Sequence, residues 1–293
     1  MKAIDISVYQ TVQAWESVYA DGVRFVIIKA TQGRALDGTG TPFRDPALQS
    51  HADGAVATGV PMGFYHFLCA RDTEQAQQEA AYFLNAISPW QPFVRHVFLD
   101  CETYGNKNLQ QQTKAQLTQT CHAFLQQVAS AGYTPALYTN ADHMENYLDI
   151  SALQVPLWIA AWGSRKPQTP GMVLWQYGPG SVRGILGQVD LNVCYLDEAE
   201  LSIQRLFALG YMQSPAYWIK QLPKVRFLSM LFSRLAPRFG HAATPLGSAE
   251  AGIEALHKAE LLLTPEYWKE QLPAVLFLPE LFCNLGGFTL LAP

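Results

Sequence analysis

Two carboxylates stand two residues apart where an apolar run of the sequence ends. Residues 97–102, Val-Phe-Leu-Asp-Cys-Glu, have the composition of a buried strand that stops at Asp100 and Glu102. Because residues i and i+2 of a strand point to the same side, both acids face one region while Cys101 faces away. Two acids in one partly apolar pocket cannot both ionise freely, and a proton donor beside an ionised neighbour is what glycoside hydrolysis requires. The spacing alone equally fits acids that cap a helix or form surface ion pairs.

Two further aspartates lie in the first and last strands that the sequence predicts. Asp5 ends the first strand, residues 3–7, and Asp190 lies in the last, residues 188–191. If the strands close into a barrel, the first and last are neighbours and all four acids converge at one mouth. A single Asp at a strand end is more often a turn or cap residue. That all four acids serve independently as turn or cap residues is a less favoured explanation than one site that they share.

Other side chains near the predicted strand ends are candidates for binding a substrate. Lys29 ends a strongly apolar strand, and we expect a carboxylate partner at the site because burying an unpaired ammonium group is costly. Flat rings stack on sugar faces while their polar edges hydrogen-bond hydroxyl groups. The aromatic candidates are Tyr65, Tyr138, Trp162 and Trp175. Each ring is equally consistent with a place in the core, and His66 is predicted to be a hydrogen-bonded core residue.

The elements that must position these residues alternate along residues 1–197. Nearly continuous apolar runs predict eight strands, as in a sheet covered on both faces: 3–7, 25–30, 61–67, 94–101, 134–139, 156–160, 173–176 and 188–191. Helical patterns separate the early strands, at 12–20, 46–58, 73–86 and 113–131. Gly22, Gly59 and Gly132 follow three of these helices as C-terminal caps. We predict an α/β barrel that is irregular in its last third, where the strands are too closely spaced for helices.

An internal repeat with a spacing of 50 residues begins near residue 198. Residues 214–223, SPAYWIKQLP, match residues 264–273, TPEYWKEQLP. The Ser or Thr before Pro predicts a helix start with a side-chain cap. We predict a second, all-α domain made of two copies of a short helical unit. The predicted bounds are 198–293 for the domain and about 198–239 and 248–289 for the copies.

Composition excludes several classes of function. A net charge of −4 without a basic run gives no reason to expect a nucleic-acid partner. No stretch of about 20 apolar residues could span a bilayer, and Met1 leads into a strand without a signal peptide. The five cysteines are scattered without a CxxC pair, so neither a metal nor a cofactor is predicted. Their thiols are expected to be mostly buried and reduced, in a protein made in the cytoplasm.

Eight segments, taken in order, resemble the family 25 glycoside hydrolases, the muramidases of fungi, streptomycetes and phages. The segments are DISVYQ at 5–10, FVIIKATQG at 25–33, GFYHF at 63–67, LDCE at 99–102, YTN at 138–140, LWIA at 157–160, LWQY at 174–177 and VDLN at 189–192. The resemblance covers about residues 1–196, and the ordered set is far more specific than any one motif. One departure is Gln32, where the family usually has Glu.

The resemblance implies a flattened barrel that mixes parallel and antiparallel strands. It also implies hydrolysis of the β-1,4 bond between N-acetylmuramic acid and N-acetylglucosamine in bacterial peptidoglycan. Glu102 would be the general acid, and Asp100 would assist the N-acetyl group of the substrate, with retention of configuration. Asp5 and Asp190 would orient the substrate and tune the pair. Such an enzyme acts on the cell wall from outside the cell or when it is released at lysis.

The all-α domain resembles, over a short stretch, helical units in the tails of wall hydrolases. This implies attachment to the cell wall or to a protein partner. Trp218 and Trp268 stand at equivalent places in the two copies, and we interpret them as core residues of a helical bundle.

The main alternative is a non-catalytic barrel that binds wall glycan or serves as a structural component. Other enzyme classes fit less well. A chitinase-type barrel would place Asp two positions before Asp100, where Phe98 stands, and no Gly-x-Ser-x-Gly elbow occurs. The four acids together favour the muramidase.

Overall fold

The computed structural model describes residues 1–291 and divides into two compact units. The first comprises residues 1–55 and 62–195. The second comprises residues 56–61 together with the described chain from Leu196 onward. Within residues 1–291, no helix combines the length and the apolar character that crossing a membrane requires.

Up to Tyr195 the chain alternates strands with helices. The strands are β1 Lys2–Ile6, β2 Thr11–Val12, β3 Val23–Gln32, β4 Phe43–Arg44, β5 Met62–Phe67, β6 Val94–Asp100, β7 Thr134–Asn140, β8 Leu157–Ala160, β9 Met172–Gly180, β10 Ile185–Leu186 and β11 Val189–Cys194. The helices are α1 Trp15–Ala20, α2 Leu48–Thr58, α3 Thr73–Ile87, α4 Lys107–Gln110, α5 Lys114–Ser130, α6 Ala141–Asn146 and α7 Ile150–Leu153, with a 3-10 helix at Ser88–Phe93.

Eight of these strands close into a barrel in the order β1-β11-β9-β8-β7-β6-β5-β3, and β3 pairs with β1 to complete the ring. Neighbouring barrel strands are parallel except at β11, which is antiparallel to both β9 and β1. Strand β4 lies outside the ring and pairs antiparallel with the end of β3. Strands β2 and β10 form a separate two-stranded antiparallel sheet. The predicted barrel of mixed strand direction is therefore confirmed.

The eight barrel strands are the eight predicted from apolar runs, with ends shifted by a few residues at most. Gly22, Gly59 and Gly132 all have positive φ just beyond helices, as the cap interpretation requires. The two-residue strands β2, β4 and β10 were not predicted, because so short a stretch has no periodicity to detect.

Aromatic rings fill the barrel interior. Phe25 and Phe98 meet edge to face at 6.3 Å, and Phe98 meets Trp158 at 5.4 Å. Gly63 makes room for them, because a Cβ there would lie 2.9 Å from the Phe25 ring and 2.7 Å from the His96 carbonyl oxygen. The barrel is thus a packed core, and chemistry is confined to its mouth.

From Glu198 the chain is helical, as the fold class predicted. The helices are α8 Glu198–Ala208, α9 Pro215–Gln221, α10 Leu228–Leu235, α11 Ala249–Lys258, α12 Pro265–Gln271 and α13 Leu278–Gly286, with 3-10 turns at Ala236–Arg238 and Leu272–Ala274. Trp218 and Trp268 are buried in the core that these helices share. Their interpretation as core residues is confirmed.

The predicted side-chain caps of α9 and α12 are wrong. Neither Ser214 nor Thr264 accepts a hydrogen bond from the helix that follows it. Ser214 has a left-handed backbone with φ of 54°, and Thr264 has ψ of 73°. A capping side chain needs an extended backbone to reach the first turn, so neither residue can cap.

Candidate active site

Strand direction brings four acids to one edge of the barrel. Asp5 lies near the carboxyl end of β1 and Asp100 ends β6, with Glu102 two residues on. Asp190 lies at the beginning of β11, and because β11 runs against its neighbours, its beginning meets the carboxyl ends of the others. Asp190 is the register partner of Asp5. We call Asp5, Asp100, Glu102 and Asp190 the acid cluster.

Asp100 and Glu102 form a pair of neighbouring acids inside the cluster. Asp100 is buried and Glu102 is partly exposed, and the two carboxyl groups are close enough to influence each other's pKa. Burial raises the pKa of both groups, and for Asp100 repulsion from Glu102 raises it further. Both groups therefore hold a proton more tightly than an exposed carboxyl group does.

Asp5 is a second carboxyl group with a raised pKa. Burial, followed by repulsion from Asp190, raises the pKa of Asp5 to about 7. Its Oδ2 accepts hydrogen bonds from Asn192 Nδ2 at 2.8 Å and Gln176 Nε2 at 3.1 Å, which favour the charged form. Burial also raises the pKa of Asp190, which is less deeply enclosed.

Two amide side chains hold Asp5, and their orientation is fixed by other donors. Gln176 Oε1 accepts from the Tyr138 hydroxyl at 3.0 Å and from Trp162 Nε1 at 3.1 Å. Asn192 Oδ1 accepts from Trp158 Nε1 at 2.7 Å. Because each amide oxygen already accepts from a ring donor, each amide NH₂ must face Asp5.

Sequence reasoning missed both amides. A signal existed for Asn192, which lies two residues after Asp190 on β11 and so shares its face. Gln176 gave a weaker signal, since it stands between Trp175 and Tyr177 in an aromatic stretch that attracts attention to its rings.

Lys29 was expected to pair with a carboxylate, but its direct hydrogen-bond partner is an amide. Its Nζ donates to Gln32 Oε1 at 2.9 Å and lies 5.2 Å from the centre of the Phe67 ring. An amide at the end of the same strand therefore replaces the expected carboxylate. The positive charge still acts at longer range, because it lowers the pKa of Asp100 and of Glu102 against the effect of burial.

Three of the four predicted aromatic side chains lie at the acid cluster. Tyr65 and Tyr138 both pack edge-on against Trp158, at 6.2 and 4.5 Å, and nearby acids raise the pKa of each phenol in addition to burial. Trp162 is 66% exposed and is tied to the cluster through Gln176.

Trp175 does not join them. It alternates with Gln176 on β9 and so points to the other side of the sheet, where it is 8% exposed. Its indole N–H donates to the Ala161 carbonyl oxygen at 2.8 Å. The ring is a packing residue, and its assignment to the substrate groove is corrected.

His66 is a core residue, as predicted. It is fully buried, with Nδ1 2.7 Å from Thr31 Oγ1 and Nε2 2.9 Å from Glu79 Oε2. Both ring nitrogens are therefore engaged on the outer side of β5. In residues 1–291, no group of three or more His, Cys, Asp or Glu side chains is arranged to hold a metal ion.

Comparisons with known proteins agree with this geometry. Residues 4–185 match the family described as Glycosyl hydrolases family 25. An autolytic lysozyme of Clostridium acetobutylicum is 31% identical over 195 residues, which is 66% of this chain and 55% of that protein. A lysozyme of Streptococcus phage Cp-9 is 28% identical over 194 residues, 62% of this chain and 52% of its own length. The chain thus spans about half the length of these curated relatives.

Solved structures give the same result for the fold. The CTP1L endolysin superposes with a TM-score of 0.56 at 29% identity, covering 73% of this chain and 71% of that one. The catalytic domain of endolysin ply40, from bacteriophage P40 of Listeria monocytogenes, gives a TM-score of 0.57 at 26% identity, covering 70% of this chain and 97% of that domain.

Proposed function

The chain belongs to family 25 of the glycosyl hydrolases, and we propose that it hydrolyses the β-1,4 bond between N-acetylmuramic acid and N-acetylglucosamine in bacterial peptidoglycan. The observation that carries the proposal is the pair of Asp100 and Glu102 at the barrel mouth. Burial raises the pKa of both carboxyl groups, so each holds a proton more tightly than an exposed acid does, as proton donation to a leaving group requires. The site of action is the bacterial cell wall.

The different exposure of the two acids supports a division of roles. Glu102 is partly exposed and can reach the oxygen of the leaving sugar, so we assign it as the general acid. Asp100 is buried, and its Oδ1 has no hydrogen-bond partner within residues 1–291. That oxygen can accept a hydrogen bond from the N–H of the substrate's N-acetyl group and so orient the acetyl carbonyl oxygen toward the anomeric carbon. The carbonyl oxygen displaces the leaving sugar, which takes the proton of Glu102, and water then displaces the carbonyl oxygen. Two displacements at the same carbon give retention of configuration.

The remaining residues of the mouth are assigned to substrate binding. Asp5 and Asp190 orient the sugar and keep the pKa of the acid pair high through repulsion. The exposed ring of Trp162 offers a stacking face, and the Tyr65 and Tyr138 hydroxyls offer polar edges. Lys29 completes the set, because its positive charge lowers the pKa of both acids of the pair.

Digestion of purified peptidoglycan tests the proposal. We expect the wild type to release fragments with new muramic acid reducing ends. Glu102→Gln should lower the rate by about 10³-fold or more, because it removes the proton donor while keeping the shape of the side chain. Glu74→Gln is the matched control, since Glu74 is an exposed acid on α3, outside the acid cluster.

The rival function is a non-catalytic barrel that binds wall glycan. It predicts that the intact protein sediments with peptidoglycan yet releases no reducing ends. New reducing ends that belong to glucosamine rather than muramic acid would overturn the assigned bond. A wild-type rate retained in Glu102→Gln would overturn the assigned acid.

We also propose that the helical unit attaches the protein to the cell wall. Two copies of one structural unit suit a polymer that repeats the same chemical group. Binding of the Glu102→Gln protein to insoluble peptidoglycan tests this separately from digestion.

A further inference from the structure

The internal repeat builds the same pocket twice within the helical unit. One pocket, of about 230 Å³, lies between residues 211–218 of the first copy and residues 277–284 of the second. The other, of about 170 Å³, lies between residues 261–268 of the second copy and residues 227–234 of the first. A shift of 50 positions converts every residue of one lining into a residue of the other, so each pocket needs both copies.

The two pockets share equivalent aromatic side chains in their linings. A buried tryptophan, Trp218 or Trp268, closes the inner end of each. A half-exposed phenylalanine from the opposite copy stands at each rim, with Phe277 43% and Phe227 42% exposed. Equivalent residues of the two pockets thus have nearly equal exposed fractions. The repeat therefore duplicates the geometry of the pocket as well as its sequence.

Each pocket also contains a hydroxyl group that makes no hydrogen bond within residues 1–291. Ser214 and Thr264 stand where a side chain would cap α9 and α12, yet neither bonds its helix. Both line the pockets instead. A hydroxyl group can donate one hydrogen bond and accept others, so each pocket offers a polar contact beside its apolar wall.

The rims differ in charge. Glu280 lines the first pocket and Arg234 lines the second. Arg234 Nη2 donates to the Glu260 carbonyl oxygen at 3.0 Å, which fixes the guanidinium group beside its pocket. A ligand suited to both pockets therefore carries small apolar groups together with amino and carboxyl groups.

We propose that each pocket binds a peptide stem of peptidoglycan. These stems are short, carry methyl groups, carboxylates and an amino-bearing side chain, and are displayed at intervals along the glycan. The pockets are smaller than the roughly 300–1,000 Å³ of sites for drug-sized ligands, which favours one or two amino-acid residues over an oligosaccharide. The inference rests on the proposed attachment to the wall and names the chemical group that is held.

Two equivalent pockets in one unit strengthen attachment without new contacts. Once one stem is bound, a second stem of the same wall is held at high effective concentration near the other pocket. Filling one pocket should therefore cost more than half of the binding that the helical unit contributes, and filling both should remove that contribution.

Tryptophan substitutions at the rims test the pockets one at a time. Gln213 and Leu263 are equivalent exposed residues, one in each lining. In the Glu102→Gln protein, which leaves the wall intact, we expect Gln213→Trp and Leu263→Trp each to weaken sedimentation with peptidoglycan by about 10- to 100-fold. The double variant should retain only the weaker binding that the barrel mouth itself contributes. Leu276→Trp is the matched control, because Leu276 is 77% exposed and lines neither pocket.

Competition separates the peptide from the glycan and does not depend on the folding of any pocket variant. Free stem peptide should displace the Glu102→Gln protein from the wall. Peptidoglycan from which an amidase has removed the stems should bind it more weakly, to the level of the double variant. Because neither measurement involves hydrolysis, the proposed enzymatic activity can fail while this inference holds, and the reverse is also true.

Three results would overturn the inference. Equal binding to stripped glycan would assign attachment to the sugar chain. Wild-type wall binding by the double variant would remove the pockets from attachment. A dimer of the parent protein that the double variant abolishes, without competition by free peptide, would assign the pockets to a second copy of this chain.

Discussion

At the scale of single residues, amide groups decide the state of the acid cluster. Gln176 and Asn192 each present an NH₂ group to Asp5 because their oxygens already accept from ring donors. These bonds lower the pKa of Asp5, but burial and Asp190 outweigh them and raise it to about 7. Asp5 is therefore largely protonated at acidic pH and becomes charged near neutrality.

The pH dependence of stability follows from this shift. A carboxyl group whose folded pKa is about 7, against 3.8 ordinarily, contributes stability that is complete below pH 3.8 and is lost as the pH rises through 7. We expect Asp5→Asn, which keeps an oxygen for both amides, to raise the free energy of unfolding at pH 8 by about 1–4 kcal/mol. Urea denaturation at pH 8 and pH 4 measures this gain, which should nearly vanish at pH 4.

The matched control for this prediction is Asp142→Asn, because Asp142 is an exposed acid on α6. Its free energy of unfolding should differ little from that of the wild type at either pH value. A gain for Asp5→Asn that is equal at pH 4 and pH 8 would contradict the assigned cause, since only deprotonation of Asp5 distinguishes the two conditions.

At the scale of elements, one antiparallel strand completes the cluster. If β11 ran parallel to β1, the beginning of β11 and Asp190 would lie at the opposite end of the barrel from Asp5. The short connection through β10 makes the reversed direction possible, since a parallel return would need a crossover of a dozen residues or more. The crowding of late strands in the sequence is the physical cause of this reversal.

In the helical unit, one arginine joins several chain segments. Arg205 of α8 is buried and donates to the carbonyl oxygens of Ala236 and Phe239, both at 2.7 Å. It also donates to those of Thr58 and Gly59, at 3.0 and 2.8 Å, in the segment 56–61 that belongs to this unit. The equivalent position in the second copy is Ala255, so the repeat pattern does not predict this role for Arg205.

Removal of this arginine should destabilise the unit. We expect Arg205→Met to lower the free energy of unfolding by about 3 kcal/mol or more, because it leaves buried carbonyl groups without donors. Urea denaturation followed by far-UV circular dichroism measures the loss. Arg238→Met, at an exposed position, should change it by less than about 0.5 kcal/mol. Equal effects of the two substitutions would show that the buried bonds contribute little.

At the scale of the whole molecule, charge is a weak source of attraction to the wall. The chain carries a net charge of −4 and only 15% charged residues. Attachment through two largely apolar pockets should therefore depend on burial of apolar groups rather than on long-range attraction.

Salt dependence tests this view. Raising the NaCl concentration from about 50 to about 500 mM should change the affinity of the Glu102→Gln protein for peptidoglycan by less than about threefold, since screening acts mainly on exposed charges. Sedimentation at several salt concentrations measures it. A loss of tenfold or more would show that Glu280, Arg234 or other charges dominate attachment.

The sequence by itself determined the eight barrel strands, the early helices and their glycine caps, because apolar periodicity and left-handed glycines are local properties. It also determined the pairing of Asp100 with Glu102, since residues two apart on a strand share a side. Tertiary structure alone decided which groups surround that pair. Gln176 and Asn192 hold Asp5, and Gln32 takes the place of a carboxylate at Lys29. The side chain of Trp175 points away from the acid cluster. These contacts depend on the register between strands that are distant in the sequence. The equivalence of the two pockets needed the packing of both copies, since each lining combines residues from opposite halves of the repeat.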